Sequence, residues 1–155
     1  MDLSLKGKVA MITGGSHGLG KQAADSLARE GCKVSICARG QENLDATQVD
    51  FKSKGYEVIS IQADVMKKED LKNFHEETVK AFGEVDILVN NVGGRRGTAD
   101  FQETGIDTFR EGIAFNLFSA VELTALVLPT MSAQTRARLI SVSSLYDREY
   151  GGPID

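Results

Sequence analysis

A chain of 155 residues, 41% hydrophobic and 26% charged, has room for one domain with a true core and the balance of an ordinary globular protein. Its net charge of −4 supplies no electrostatic footprint for nucleic acid or an anionic membrane, so neither is expected as a partner. The first eight residues, Met1 to Lys8, lack the basic region and apolar core of a secretory leader, and the expected location is cytoplasmic.

A short apolar run predicts strand one at Val9–Ile12, and a glycine turn leads into a helix over Gly18–Glu30, with Ala23, Ala24, Leu27 and Ala28 at helical spacing. Gly31 suits the helix end, and Lys33–Ala38 reads as strand two. A second helix is expected from Glu42 to Lys54, with Leu44, Val49 and Phe51 turned inward and Gly55 as its stop. Strand three follows at Glu57–Ile61. A third helix over Lys67–Phe82 spaces Leu71, Phe74, Thr78 and Phe82 helically before Gly83 closes it, and Val85–Val89 is strand four.

Beyond a glycine- and arginine-rich loop, Gly93 to Gly97, a long helical region from about Thr104 to Ser132 is expected, broken near Gly112 and distorted near Pro129. Its apolar stretch Ile113–Leu128 is interrupted by Asn116 and Glu122 and reads as a buried helix rather than a membrane span. Leu139–Val142 supplies strand five. Strands alternating with helices imply an α/β, doubly wound parallel sheet with right-handed crossovers and helices on both faces. Cys32 and Cys37 flank one strand about 16 Å apart if extended, too far for a disulfide, and are expected as free core thiols.

The chemistry gathers at Thr13-Gly14-Gly15-Ser16-His17-Gly18-Leu19-Gly20, where the first strand meets the first helix. Glycines let backbone N–H groups approach an anion without hindrance from Cβ, and the positive end of the helix favours negative charge; a phosphate is the natural guest. The G-x-G-x-x-G fingerprint fails because Ala23 stands where its last glycine belongs. The Walker pattern nearly fits through Gly20-Lys21, but Gln22 offers no hydroxyl for Mg²⁺.

In a doubly wound sheet the ligand lies beyond the carboxyl ends of the strands. Arg39 follows strand two, where NAD-binding domains carry an acid for the ribose 2′-hydroxyl and where a guanidinium can clasp a 2′-phosphate; it points to NADP(H). Asp64 and Val65 follow strand three, with Asp64 open to three roles: a Walker metal ligand, an adenine neighbour or a helix cap. Asn116, inside an apolar helix, is expected as a buried amide that needs partners. Ser143 and Ser144 end strand five.

The spacing Thr13-Gly14-x-x-x-Gly18-x-Gly20, Asn90-Asn91-Val92-Gly93 after strand four, Asn116 and the Ser143-Ser144 pair together resemble the short-chain dehydrogenase/reductase family, from about residue 5 to residue 155. Val92 departs mildly from the family's alanine. By that resemblance the chain is a Rossmann-like NADP-binding domain over residues 1–155. Thr13, Gly14, Ser16, His17, Gly18, Leu19, Gly20, Arg39, Asp64, Val65, Asn91 and Gly93 would hold the cofactor. Ser144 would orient the substrate oxygen, and Asn116 would support the helix bend and the proton relay. The implied reaction moves a hydride between NADP(H) and a small carbonyl or alcohol substrate in a homo-oligomeric enzyme.

The resemblance also implies a Tyr-x-x-x-Lys near position 157. Within these residues Tyr56, Tyr146 and Tyr150 are followed four residues on by Ser60, Tyr150 and Ile154, and Lys80 is the last lysine. The expectation is therefore a family domain truncated after the fifth strand, without catalysis of its own. A nucleotide- or partner-binding module is the non-enzymatic alternative.

Overall fold

A computed structural model of the chain describes residues 3–98 and 101–143. Its elements follow in the order β1 (Val9–Thr13), α1 (Gly18–Arg29), β2 (Lys33–Ala38), α2 (Gln41–Ser53), β3 (Val58–Gln62), α3 (Lys68–Phe82), β4 (Ile87–Asn90), α4 (Phe101–Thr104), α5 (Ile106–Ile113), a π turn (Ala114–Phe118), α6 (Ser119–Met131) and β5 (Arg138–Ser141). The strands form one sheet in the order β3-β2-β1-β4-β5, with every pairing parallel. Ala10 faces Val34 on one side and Ile87 on the other.

Alternation along each strand assigns its side chains to two cores. Ala10 and Ile12 of β1 join Val34 and Ile36 of β2 on the face covered by α1 and α2, through Ala24, Ala28, Leu44 and Phe51. Met11, Cys37 and Leu88 point the opposite way, onto Leu71 and Phe74 of α3 and Leu123, Val127 and Met131 of α6. Each large side chain fully buried this way contributes about 1.5–3 kcal/mol, which is why the central strands read as unbroken apolar runs.

Three expectations need correction. Val49 is 69% exposed, whereas Thr47 is buried beside Leu44 and Phe51. Positions 44, 47 and 51 share a helix face, and position 49 falls on the opposite side. The Ile113–Leu128 segment is buried along one face only: Phe115, Ser119, Leu123 and Val127 pack inward, while Leu117, Phe118, Val121 and Leu128 are exposed. The helix also does not break at Gly112. It is interrupted earlier, at Gly105 with φ 68°, then runs from Ile106 to Met131 and widens into the π turn, in which the Ser119 N–H reaches back to the Ala114 carbonyl. Pro129 fits inside the last turn of α6.

By length and composition this 26-residue run is apolar enough to cross a membrane. Here its inner stripe supplies part of the core.

Candidate functional site

The sheet order changes direction between β1 and β4, and beyond the carboxyl ends of β1, β2 and β4 lies a cavity of about 370 Å³. Its floor is the glycine turn, through Gly14, His17, Gly18 and Leu19. Arg39 closes the β2 side; Asn91, Val92, Gly93 and Phe115 close the β4 side.

Close approach of backbone to backbone shapes the turn. Gly14 and Gly18 hold φ of +67° and +55°, a conformation that favours glycine. A Cβ on Gly20 would collide with the carbonyl oxygen of Gly14, and one on Gly15 would lie 2.5 Å from Ile36 Cγ2. Glycine at position 20 thus lets the start of α1 pack under the end of β1. The first α-helical hydrogen bond runs from the Lys21 N–H to the His17 carbonyl, leaving the N–H groups of Gly18, Leu19 and Gly20 at the head of the helix. No acidic side chain occupies the first turn of α1, so nothing there competes with an incoming anion.

Neighbouring strands brace this turn. The Thr13 hydroxyl accepts the N–H groups of Asn91 and Val92 at 3.0 and 3.1 Å, and the Asn91 side-chain amide donates to the Thr13 carbonyl at 2.9 Å. The Gly15 N–H donates to the Cys37 carbonyl, and the Thr47 hydroxyl to the Ser16 carbonyl. Thr13, Ser16 and Gly20 are buried behind the cavity wall, whereas Leu19 is 72% exposed at its lip.

Lys21 separates the two phosphate-binding readings. A Walker lysine must reach the phosphates. Here the Lys21 ammonium turns to α2, 3.4 Å from Asp50 and 6.0 Å from the centre of the Phe51 ring. Asp64 behaves as a turn residue: its carboxylate accepts the Met66 N–H at 3.0 Å, its carbonyl accepts the Lys67 N–H, and Asp70 accepts its own N–H at 2.8 Å. It borders a neighbouring cavity that shares Arg39 and Ala63 with the main one. The Arg39 carbonyl accepts a bond from Gln62, and among the described residues no acidic side chain pairs with its guanidinium.

Asn116 is exposed rather than buried, yet fully partnered. Its Oδ1 accepts the Gly94 N–H at 2.7 Å, and its Nδ2 donates to the carbonyls of Gly94 and Gly112, each at 2.9 Å. The amide therefore pins the loop after β4 to the π turn. Ser143 lies two residues past the end of β5, and Ser144 falls outside the described residues, with Tyr146 and Tyr150.

Three lining residues escape the sequence reading of the site: Ala38, Ala63 and Phe115. Ala38 and Ala63 stand at the ends of β2 and β3, where a small residue following an apolar strand was the available signal. Phe115 is placed by the π turn, which no spacing rule revealed. Both cysteines are buried: loss of solvent pushes the Cys37 thiol up to about 12 and the Cys32 thiol up to about 11.

A parallel sheet with this order and a glycine turn facing the switch point defines a Rossmann-like α/β protein. The chain belongs to the short-chain dehydrogenase family, whose sequence pattern it matches over residues 8–152. It is 35% identical over 144 residues to an uncharacterized oxidoreductase of Bacillus subtilis, covering 93% of this chain and 54% of that protein. A tropinone reductase homolog of Arabidopsis thaliana is 32% identical over 145 residues, covering 92% of this chain and 54% of the relative. Among solved structures, a short-chain dehydrogenase/reductase of Caenorhabditis elegans with bound cofactor superposes with a TM-score of 0.85 at 31% identity, covering 96% of this chain and 57% of the other. The chain spans about half the length of the curated relatives it matches. Oxidoreductases of this family use nicotinamide cofactors, NAD or NADP.

Proposed function

We propose that this chain forms the cofactor-binding half of an NADP(H)-dependent oxidoreductase that interconverts a carbonyl and an alcohol. The observation that carries the choice of cofactor is Arg39: a cation without an acidic partner among the described residues, at the end of β2 and on the wall of the cavity. A guanidinium there suits a 2′-phosphate, whereas a ribose 2′-hydroxyl would call for a carboxylate.

The residues present fit such a dinucleotide. Gly14 and Gly18 admit backbone close to a pyrophosphate, the head of α1 supplies N–H donors, and Asn91 holds the end of β1 in place. Val65 and Ala63 offer an apolar wall for an adenine ring, and Phe115 and Val92 exclude water at the other end. When bound, the nicotinamide supplies or accepts the hydride. Asn116 fixes the loop beside that end, and Ser144 is assigned the task of aligning the substrate oxygen. A phenol with an ordinary pKa near 10 needs a neighbouring cation to act as an acid or base near neutrality, and no tyrosine in these 155 residues has a lysine four positions on. The chain is expected to bind NADP(H) through these residues.

Calorimetric titration with NADPH, NADH and ATP-Mg²⁺ tests this reading. NADPH should bind tightest, and Arg39→Asp should remove about 1.5–3 kcal/mol of that binding while sparing NADH. Tightest binding of ATP-Mg²⁺, or equal affinity of both dinucleotides before and after the substitution, would overturn it.

A further inference from the structure

The glycine turn and its cavity lie at the carboxyl ends of the strands. At the opposite end, where β1, β4 and β5 begin, the segment 3–5 borders a further cavity of about 510 Å³. Leu3, Leu5 and Ile87 form its apolar wall, and Lys8, Arg136 and Arg138 bring three cations to it. Asp86 frames this end of the sheet. Its N–H donates to the Val9 carbonyl and its carbonyl accepts the Arg138 N–H, each at 2.9 Å, while its carboxylate holds the Lys8 ammonium at 2.7 Å and the Val9 N–H at 2.9 Å. The Gln134 side-chain amide donates to the Val85 carbonyl at 3.2 Å and so ties the turn that carries Arg136 to the chain entering β4.

Asp86 is the one acid among the residues lining this cavity, and Lys8 takes it up. Arg136 and Arg138 have no acidic partner among the described residues; the Arg138 guanidinium donates to the Ala137 carbonyl at 2.9 Å, which leaves its other donors open. Solvent alone would satisfy either arginine on an open surface. What sets this place apart is that both line one cavity, beside an apolar wall, in a chain whose net charge is −4, and that Asp86 and Gln134 fix the backbone carrying them. Like charges gathered in this way repel each other until an anion joins them.

We propose that the cavity at the amino-terminal ends of β1, β4 and β5 binds a small organic carboxylate with an apolar tail, its carboxylate on Arg136 and Arg138 and its tail against Leu3, Leu5 and Ile87. The inference goes beyond the oxidoreductase reading and does not depend on it. A planar guanidinium offers parallel N–H donors that match the two oxygens of a carboxylate. An apolar tail removes the leucine and isoleucine surface from water, which a bare inorganic anion does not. Gln in place of arginine keeps hydrogen-bond donors and removes the charge.

The test titrates the chain with hexanoate, its neutral amide and acetate, followed by methyl NMR. Hexanoate should bind about 10-fold tighter than hexanamide, as one charge-assisted pair provides, and about 10-fold tighter than acetate, as partial burial of the added methylenes provides. It should shift the methyl signals of Leu3, Leu5 and Ile87 and leave those of Val65 and Val92, in the cofactor cavity, unmoved. Arg138→Gln should cut the preference for acid over amide at least about threefold, and Arg136→Gln with Arg138→Gln should abolish it. Melting curves check that each variant folds; should Arg138→Gln disturb β5, Arg136→Gln in the preceding turn carries the same threefold expectation. Equal binding of hexanoate and hexanamide, binding of neither at millimolar concentration, shifts confined to the cofactor cavity, or a preference that survives the double substitution overturns the proposal. Equal binding of acetate and hexanoate overturns the apolar part of the site. None of these outcomes bears on the oxidoreductase reading.

Discussion

Gly20 packs so closely beneath Gly14 that any side chain at position 20 would strike the Gly14 carbonyl oxygen. That contact joins the first turn of α1 to the end of β1, and the Asn91 amide, 2.5 Å from the site of such a Cβ, closes it from the β4 side. Gly20→Ala is therefore expected to cost about 1–3 kcal/mol and to weaken dinucleotide binding together with stability. Gly18 has open space around it, and Gly18→Ala should cost only the strain of its left-handed backbone, about 1–2 kcal/mol. Thermal denaturation of both variants, each with an NADPH titration, checks the ranking; equal tolerance at the two positions would contradict it.

Asp25 couples α1 to α2. Lys54 donates to it at 3.0 Å, Arg29 reaches it from the next turn, and these partners hold its carboxyl below the usual range, Lys54 contributing most. A depressed carboxyl pKa stabilises the fold above the unfolded value of about 3.9 and loses that contribution as pH falls through the folded pKa. Asp25→Asn should lower the melting temperature at pH 7 and flatten the decline on the acid side of pH 4. Parallel melting curves for variant and parent from pH 7 down to pH 3 would refute the coupling.

Cys37 and Cys32 should be silent toward thiol reagents. With pKa values near 12 and 11 and both side chains buried, almost no accessible thiolate exists at pH 8. A colorimetric disulfide reagent should modify neither residue in the folded chain and both once denaturant is added. Rapid labelling without denaturant would show that α1 or α3 opens readily over its strand.

Leu117, Val121 and Leu128 form an exposed stripe along the outer face of the helical run, and Leu139 and Ile140 of β5 are about half exposed at 50% and 45%. Among the described residues β5 pairs only with β4, which leaves its other edge open. An apolar stripe beside an unpaired strand edge favours association, so the 155-residue chain is expected to self-associate. Leu117→Glu combined with Val121→Glu should move it toward monomer in size-exclusion chromatography with light scattering. A monomeric parent chain at micromolar concentration would remove the basis of this expectation.

What the sequence determined by itself were the features whose physics is local. Strand periodicity, the glycine stops at Gly31, Gly55 and Gly83, and the ordered succession of the Thr13–Gly20 turn, the paired asparagines and Asn116 identified a doubly wound sheet and its family, because each depends on residues near one another in the chain. Tertiary structure decided what depends on the neighbours of a side chain. Only the packing of α2 shows that Thr47 faces inward and Val49 does not, and only the meeting of α1 with α2 shows Lys21 committed to Asp50 rather than to a phosphate. The π turn brings Phe115 to the cavity wall and leaves Asn116 exposed, with its amide on Gly94 and Gly112. An i to i+5 turn shifts every later residue around the helix axis, a rotation that no pattern of apolar spacing encodes.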